Sequence, residues 1–239
     1  MRGGRQSEPP QYRELPAPDP LRPWVSFLFE RVADGTTLRL LPDGSTDVVW
    51  IDGRGGFVYG ASSRALVITF PAGTRLLGAR LRPGAGPALL GIDGAAIRDA
   101  AVPLDDVWGD TGRLRSAGWQ QTVTAGQLAG ALMKRTARSE PDRLVAAAIE
   151  RLRAGEPSIA RLADTLGISE RQLRRRFHAA VGLSPKRLAR ILRLQRALTA
   201  PPRERDLTTT ALDAGFADHS HFVNECRALS GLSPGSLLA

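Results

Sequence analysis

The feature that most constrains this chain is an internal duplication in its last third. Ala163-x3-Gly167 is followed by Leu173-x3-Phe177-x4-Gly182-Leu183-Ser184-Pro185, and Ala211-x3-Gly215 by Phe222-x3-Cys226-x4-Gly231-Leu232-Ser233-Pro234. The Gly-Leu-Ser-Pro closures recur at an offset of 49 and the Ala/Gly pairs at 48, so one extra turn residue separates the copies. Each copy has the physics of two helices crossing at a tight turn. Ala163 and Ala211 leave room for a close crossing, and Gly167 and Gly215 suit a helix end in the left-handed region. Ser169 with Gln172 reads as a capping box, and Asp218 as the N-cap of the second copy. The i, i+4 pairs Leu173/Phe177 and Phe222/Cys226 would pin each second helix to a core. Pro185 and Pro234 suit the first turn of the helix that follows.

Between the copies the spacing predicts a helix over Pro185–Thr199, with Leu188, Ile191, Leu192 and Leu194/Gln195 as its apolar stripe. Its other faces carry Lys186, Arg187, Arg190, Arg193 and Arg196. Here the charge of the chain becomes informative. The formal net charge is +9, and residues 171–205 hold 11 basic side chains against one acidic one, Glu204. A segmental excess of that size is the footprint of a polyanionic partner. A plain helical bundle with duplicated hairpins would leave it unexplained. Only Lys134 and Lys186 are lysines, and arginine favours bidentate phosphate and guanine contacts. A GC-rich genome would give the same bias.

From Asp142 to Ala239 the chain resembles the DNA-binding domain of AraC/XylS-type transcriptional regulators. The duplicated unit, the basic linker helix and the turn Gly215-Phe216-Ala217-Asp218-His219-Ser220 carry that resemblance. It implies an all-α domain over 142–239, with two helix-turn-helix units joined by a linker helix. Each second helix would enter a major groove of double-stranded DNA with its N-terminal residues at the base edges. In the first unit those residues are Arg171, Gln172, Arg174 and Arg175, which project together once Leu173 and Phe177 are buried. In the second they are His219, Ser220, His221 and Asn224. Most relatives carry Arg where this chain has Asn224 and a large aromatic where it has Cys226, so base reading should concentrate in the first unit. Lys186, Arg187, Arg190, Arg193 and Arg196 are the candidate phosphate contacts. Arg176 borders the buried face and points to backbone or protein instead. Cys226 reads as a small buried hydrophobe.

The first half is less readable. Residues 1–20 are rich in proline and read as a flexible arm. Over 21–138 a β-rich sensory or dimerisation domain is expected. Apolar runs at Trp24–Phe29, Thr37–Leu41, Val48–Ile51, Phe57–Tyr59, Ala65–Phe70 and Leu76–Leu81 alternate with Gly- and Pro-containing turns, as in a small barrel or sandwich. A short helix is expected around Gly86–Asp99 and another, bearing Leu128 and Leu132, over Thr124–Arg138. The latter would either dimerise or pack on its own domain. Pro42-Asp43-Gly44-x2-Asp47-Val48-Val49-Trp50, Gly78–Gly84 and Val102–Gly109 resemble an uncharacterised N-terminal domain found in a subset of AraC-type regulators. By analogy with that family, a cupin-like β-fold is expected. Arg80, Arg82 and Trp50 are the weak candidates for effector contacts, and the effector itself is unknown. Asp43 reads as a turn residue and Asp47 as a strand-start cap. Trp24, Trp50, Trp108 and Trp119 are expected in the core or around a pocket.

Residues 1–177 contain no His and no Cys, which argues against a His-ligated metal or a His-based triad there. No cofactor or metal is expected, and the chain is read as not an enzyme. The alternatives are an enzyme or repair-type fusion with a DNA-binding module, or a non-specific nucleic-acid-binding protein. No apolar run approaches the ~18–20 residues of a membrane span, and no charged-apolar-small leader opens the chain. The expected location is the cytoplasm, on the nucleoid. Expected partners are double-stranded DNA, RNA polymerase, a small-molecule effector in the N-terminal domain and a second copy of the chain.

Overall fold

A computed structural model of the protein describes residues 12–109, 123–156, 158–199 and 207–238. Trp119, Glu204 and Arg205 lie outside the described residues, as do residues 1–11 of the expected arm.

The N-terminal half is built on a six-stranded antiparallel sheet in the order β1-β2-β7-β4-β5-β8. Its strands are β1 (Tyr12–Pro16), β2 (Val25–Val32), β4 (Thr46–Ile51), β5 (Gly55–Tyr59), β7 (Arg75–Leu81) and β8 (Ala101–Pro103). The remaining strands, β3 (Thr37–Leu40) and β6 (Leu66–Thr69), pair with each other as a separate two-stranded sheet. Period-two alternation sorts β7 into two faces. Leu77, Ala79 and Leu81 join a core with Leu28, Val48, Val58 and the helices α1 (Gly86–Leu90), α2 (Gly94–Ile97) and α3 (Leu104–Trp108). Leu76 faces the other way, into a smaller cluster with Val49, Ile51 and Phe70, against which Leu38 and Ile68 of the β3–β6 pair also pack. The half is thus a sandwich, with helices on one face of the large sheet and a two-stranded sheet on the other. Gly78 is part of that packing: a Cβ there would lie 2.1 Å from the Phe29 ring that covers it.

Two features of the sequence reading need correction. Residues 12–16 are not an arm, because they form β1 and pair with β2 from Tyr12↔Arg31 to Pro16↔Phe27. Pro16 is tolerated because it closes an edge strand. Ala17 and Leu21 are buried in the main core, so the packed domain begins before residue 21. Asp47 is not a cap: it lies inside β4, with its side chain on Arg80.

The helix α4 (Ala125–Thr136) packs on its own domain. Leu128, Ala129 and Leu132 are buried in the main N-terminal core. Arg135 donates to the Leu89 and Leu90 carbonyls at 3.2 and 3.0 Å, and its guanidinium sits 5.1 Å from the Trp108 ring centroid.

The C-terminal half is helical: α5 (Arg143–Arg153), α6 (Ile159–Thr165), α7 (Glu170–Val181), α8 (Pro185–Thr199), α9 (Leu207–Asp213), α10 (His219–Ser230) and α11 (Pro234–Leu238). The linker helix spans the residues its spacing predicts. Its stripe Leu188, Ile191, Leu192 and Leu194 is buried beside Leu173, Phe177, Phe222 and Cys226 in one core. No helix among the described residues is long and apolar enough to cross a membrane.

The halves dock through the C-terminal end of α7, which lies on α1 and α2. The contact is backbone on backbone. Gly182, the left-handed C-cap at φ +82°, leaves no room for a Cβ, which would fall 2.5 Å from the Gly94 carbonyl oxygen. Hydrogen bonds between the halves add to it. The Arg39 guanidinium donates to the Ser230 carbonyl at 2.7 Å, and the Ala65 N–H to the Leu229 carbonyl at 2.6 Å. The Gln195 amide donates to the Pro42 carbonyl at 2.8 Å, and Arg187 Nε to the Ser63 carbonyl at 3.0 Å.

Candidate nucleic-acid interface

In the first unit, α6 and α7 are joined through the positive-φ glycine Gly167. The capping box at the start of α7 is closed in both directions: Gln172 N–H donates to Ser169 Oγ at 3.2 Å, and Ser169 N–H to Gln172 Oε1 at 3.0 Å. Leu173, Phe177 and Val181 are buried, which turns Arg171, Arg174 and Arg175 outward, all exposed. Arg174 pairs with Glu170 one turn back. Arg175 lies beside the groove between the halves that Ala88, Asp93 and Asp142 also line. Arg176 is held by Asp142 at 2.7 Å, which ties α7 to the N-cap of α5. The Gln172 carbonyl oxygen is occupied by the cap. Bidentate recognition of adenine needs that oxygen.

The second unit repeats the device with fewer charges. Asp218 caps α10, accepting from the His221 N–H at 2.7 Å. His219, Ser220 and Asn224 are exposed, as the sequence reading requires. His221 Nδ1 accepts from the Ala217 N–H at 3.3 Å, and its ring lies edge-on to Phe216 at 5.4 Å. It closes the helix start rather than reaching out. Phe222 and Cys226 are fully buried, and burial together with the nearby Glu225 charge pushes the thiol up to about 11.

The linker cations divide. Lys186 is exposed, and Arg193 lies over the Phe216 ring at 5.6 Å. The guanidinium groups of the other three are engaged within the protein. Arg187 donates to the Ser63 carbonyl, and burial lowers its pKa. Arg196 reaches the Arg153 and Ala214 carbonyls at 3.4 and 3.5 Å. Arg190 forms a two-pronged pair with Glu225, Nε to Oε2 and Nη2 to Oε1, both at 2.8 Å. The hydrogen bonds from Arg190 to Glu225 raise the Arg190 pKa. Glu225 is the residue the sequence reading missed. It stands next to Cys226 on the inward face of α10, and a carboxylate at a buried position signals a nearby cation.

The N-terminal candidates also separate. Arg80 points into a cavity of about 250 Å³ between the large sheet and the β3–β6 pair. It is already paired: Nε and Nη2 donate to Asp47 at 3.0 and 2.9 Å, and Nη1 to Asp43 at 3.0 Å. Burial lowers the Arg80 pKa, but the hydrogen bonds and charge of Asp47 and the charge of Asp43 outweigh it and hold it above its ordinary value. Arg82 lies past the end of β7 and donates to the Arg22 carbonyl at 2.7 Å. Trp24, Trp50 and Trp108 belong to or pack against the helix-covered core, and none of them lines the cavity.

Residues 162–239 match a family model described as a helix-turn-helix domain, and residues 13–103 one described as a domain of unknown function (DUF6597). A probable AraC family transcriptional regulator from Rhodopseudomonas palustris shares 30% identity, over 41% of this chain and 95% of that one, with a TM-score of 0.36. A ligand-free variant of ToxT from Vibrio cholerae covers 88% of this chain and 96% of its own at 12% identity and a TM-score of 0.45. Wild-type ToxT with a bound unsaturated fatty acid covers 100% and 97% at 10% identity, with the same score. The ToxT likeness is too low to carry an argument. No curated protein matches the chain. On the helix-turn-helix match and the identity across nearly all of the Rhodopseudomonas palustris chain, this protein belongs to the AraC family of DNA-binding transcriptional regulators.

Proposed function

We propose that the protein is a sequence-specific regulator that reads two adjacent major-groove segments unequally. The observation that carries this reading is the pair of capped helices, α7 and α10, whose N-terminal residues are exposed on either side of one basic 15-residue linker helix. Arg171, Arg174 and Arg175 supply base contacts from α7, and arginine is the side chain best matched to guanine O6 and N7. His219, Ser220 and Asn224 supply contacts from α10, none of them through a guanidinium. Lys186 and Arg193 position the protein on phosphates. RNA polymerase is a further partner. The N-terminal domain modulates DNA binding, through an effector or a second copy of the chain, and the site of action is the cytoplasm.

In vitro selection from random duplexes with the full chain tests this. A two-part motif with half-sites ~10 bp apart, one part richer in guanine and better defined than the other, is expected. Enrichment of no motif, with random and selected pools bound alike, overturns the proposal in favour of a non-specific polyanion binder.

A further inference from the structure

The cavity beneath the β3–β6 pair has an asymmetry that the charged residues of the sequence do not reveal. Its floor is the face of the large sheet on which β2 contributes Phe27, Phe29 and Arg31. These stand opposite Arg80, Gly78 and Leu76 of β7. Four strand residues separate the two ends, roughly 13 Å at ~3.3 Å per residue. The Arg80 end is saturated, with two carboxylates on one guanidinium. At the Arg31 end the reverse holds. Arg31 Nε is buried without a hydrogen-bond partner, and its guanidinium makes no ion pair among the described residues. The groups around it do not neutralise it. Tyr12, across from it on β1, is held as a neutral phenol, since burial and Glu14 push it up to about 12. Glu30 is committed to Arg13 at 2.6 Å, and Asp34, which accepts from Thr36 and feels the Arg31 charge, is exposed and makes no hydrogen bond to it. A buried guanidinium N–H without an acceptor is costly, and an anion in the cavity that Arg31 lines would balance the guanidinium charge. Between the two ends, Phe29, Leu38, Ile68 and Phe70 make the walls apolar.

We propose that this cavity binds a small amphipathic anion, a carboxylate on an apolar body, with the carboxylate on Arg31. The size fits: about 250 Å³ exceeds the ~150 Å³ that accommodates a benzene ring and falls just short of the ~300 Å³ at which drug-sized sites begin. The inference rests on the reading of the N-terminal domain as a modulator, and supplies the chemistry of the effector. It also supplies a route. The cavity wall Leu38–Asp43 carries Arg39, bonded to the Ser230 carbonyl at the end of α10, and Pro42, bonded to Gln195 on the linker helix. Ala65, next to Leu66 on the opposite wall, is bonded to Leu229. Occupancy that moves this wall moves the second reading helix.

Titration calorimetry of the full chain with 3-phenylpropionate and its neutral isostere 3-phenylpropanamide tests the assignment. The carboxylate is expected to bind at least tenfold more tightly than the amide. Arg31→Met should bring that ratio to about one while leaving the amide affinity unchanged, which a collapsed cavity would not do. Arg82→Met should change neither. Binding of neither probe, equal affinity of the two for the wild-type protein, or an undiminished ratio in Arg31→Met overturns the proposal. These titrations contain no DNA, so their failure alongside intact binding to a selected duplex removes only the ligand inference. Loss of specific DNA binding with the probe ratio intact removes only the regulator reading.

Discussion

Glu225→Ala breaks the pair that ties the second reading helix to the linker. Both hydrogen bonds from Arg190 are 2.8 Å, with the Glu225 side chain 11% and the Arg190 side chain 34% exposed. Removing one partner of a fully buried pair costs about 3–5 kcal/mol, whereas exposed pairs contribute about 0–1 kcal/mol. This pair lies between those limits, so a loss of about 2 kcal/mol is expected. For a chain of this length that lowers Tm by roughly 4–8 °C. Arg190→Ala should cost at least as much, because it leaves the buried Glu225 carboxylate unpaired, whereas the one-third-exposed guanidinium left by Glu225→Ala can rehydrate. Urea denaturation of the two single variants and the double variant gives the coupling directly, about 1 kcal/mol or more. A coupling under about 0.3 kcal/mol refutes the reasoning. If Arg190→Ala then leaves stability unchanged but makes the salt dependence of DNA affinity shallower by about one, Arg190 is a phosphate contact after all.

Other outcomes follow from the same geometry. Arg171→Ala and Arg175→Ala should each relax base preference at one position by about 1–3 kcal/mol, read by competition between single-base variants of a selected duplex. Gly182→Ala places a Cβ 2.5 Å from the Gly94 carbonyl oxygen at a left-handed φ. It should loosen the docking of α7 on α2, seen as faster amide exchange in residues 94–97. Burial and Glu225 push the Cys226 thiol up to about 11, so at pH 8 it is overwhelmingly protonated and inert. An aromatic disulfide reagent should label it only in denaturant, and stoichiometric labelling of the native protein would contradict the burial.

The C-terminal half was legible because its information is local. Caps at Ser169 and Asp218, glycine turns, i, i+4 anchors and the linker stripe each involve residues within one or two helical turns, and the structure forms them as the spacing requires. Partners distant in the chain were not legible. Arg190 and Glu225 are 35 residues apart, Arg80 and Asp47 33, and Arg187 and Ser63 124. Counting cations located the basic stretch but could not say which of them the protein neutralises itself. Proline content concealed β1, whose pairing depends on β2 rather than on its own composition. Arg31 escaped notice because its significance is the partner it lacks, which no local pattern encodes.

The central claim is that two helices of one chain read one duplex, the first more strongly. Dimethyl sulfate protection of guanine N7 on a selected duplex tests this most directly. Two protected segments about one helical turn (~34 Å) apart on one face are expected, and Arg171→Ala should expose only the more strongly protected one. A single protected segment, or both segments weakening together in Arg171→Ala, would contradict it.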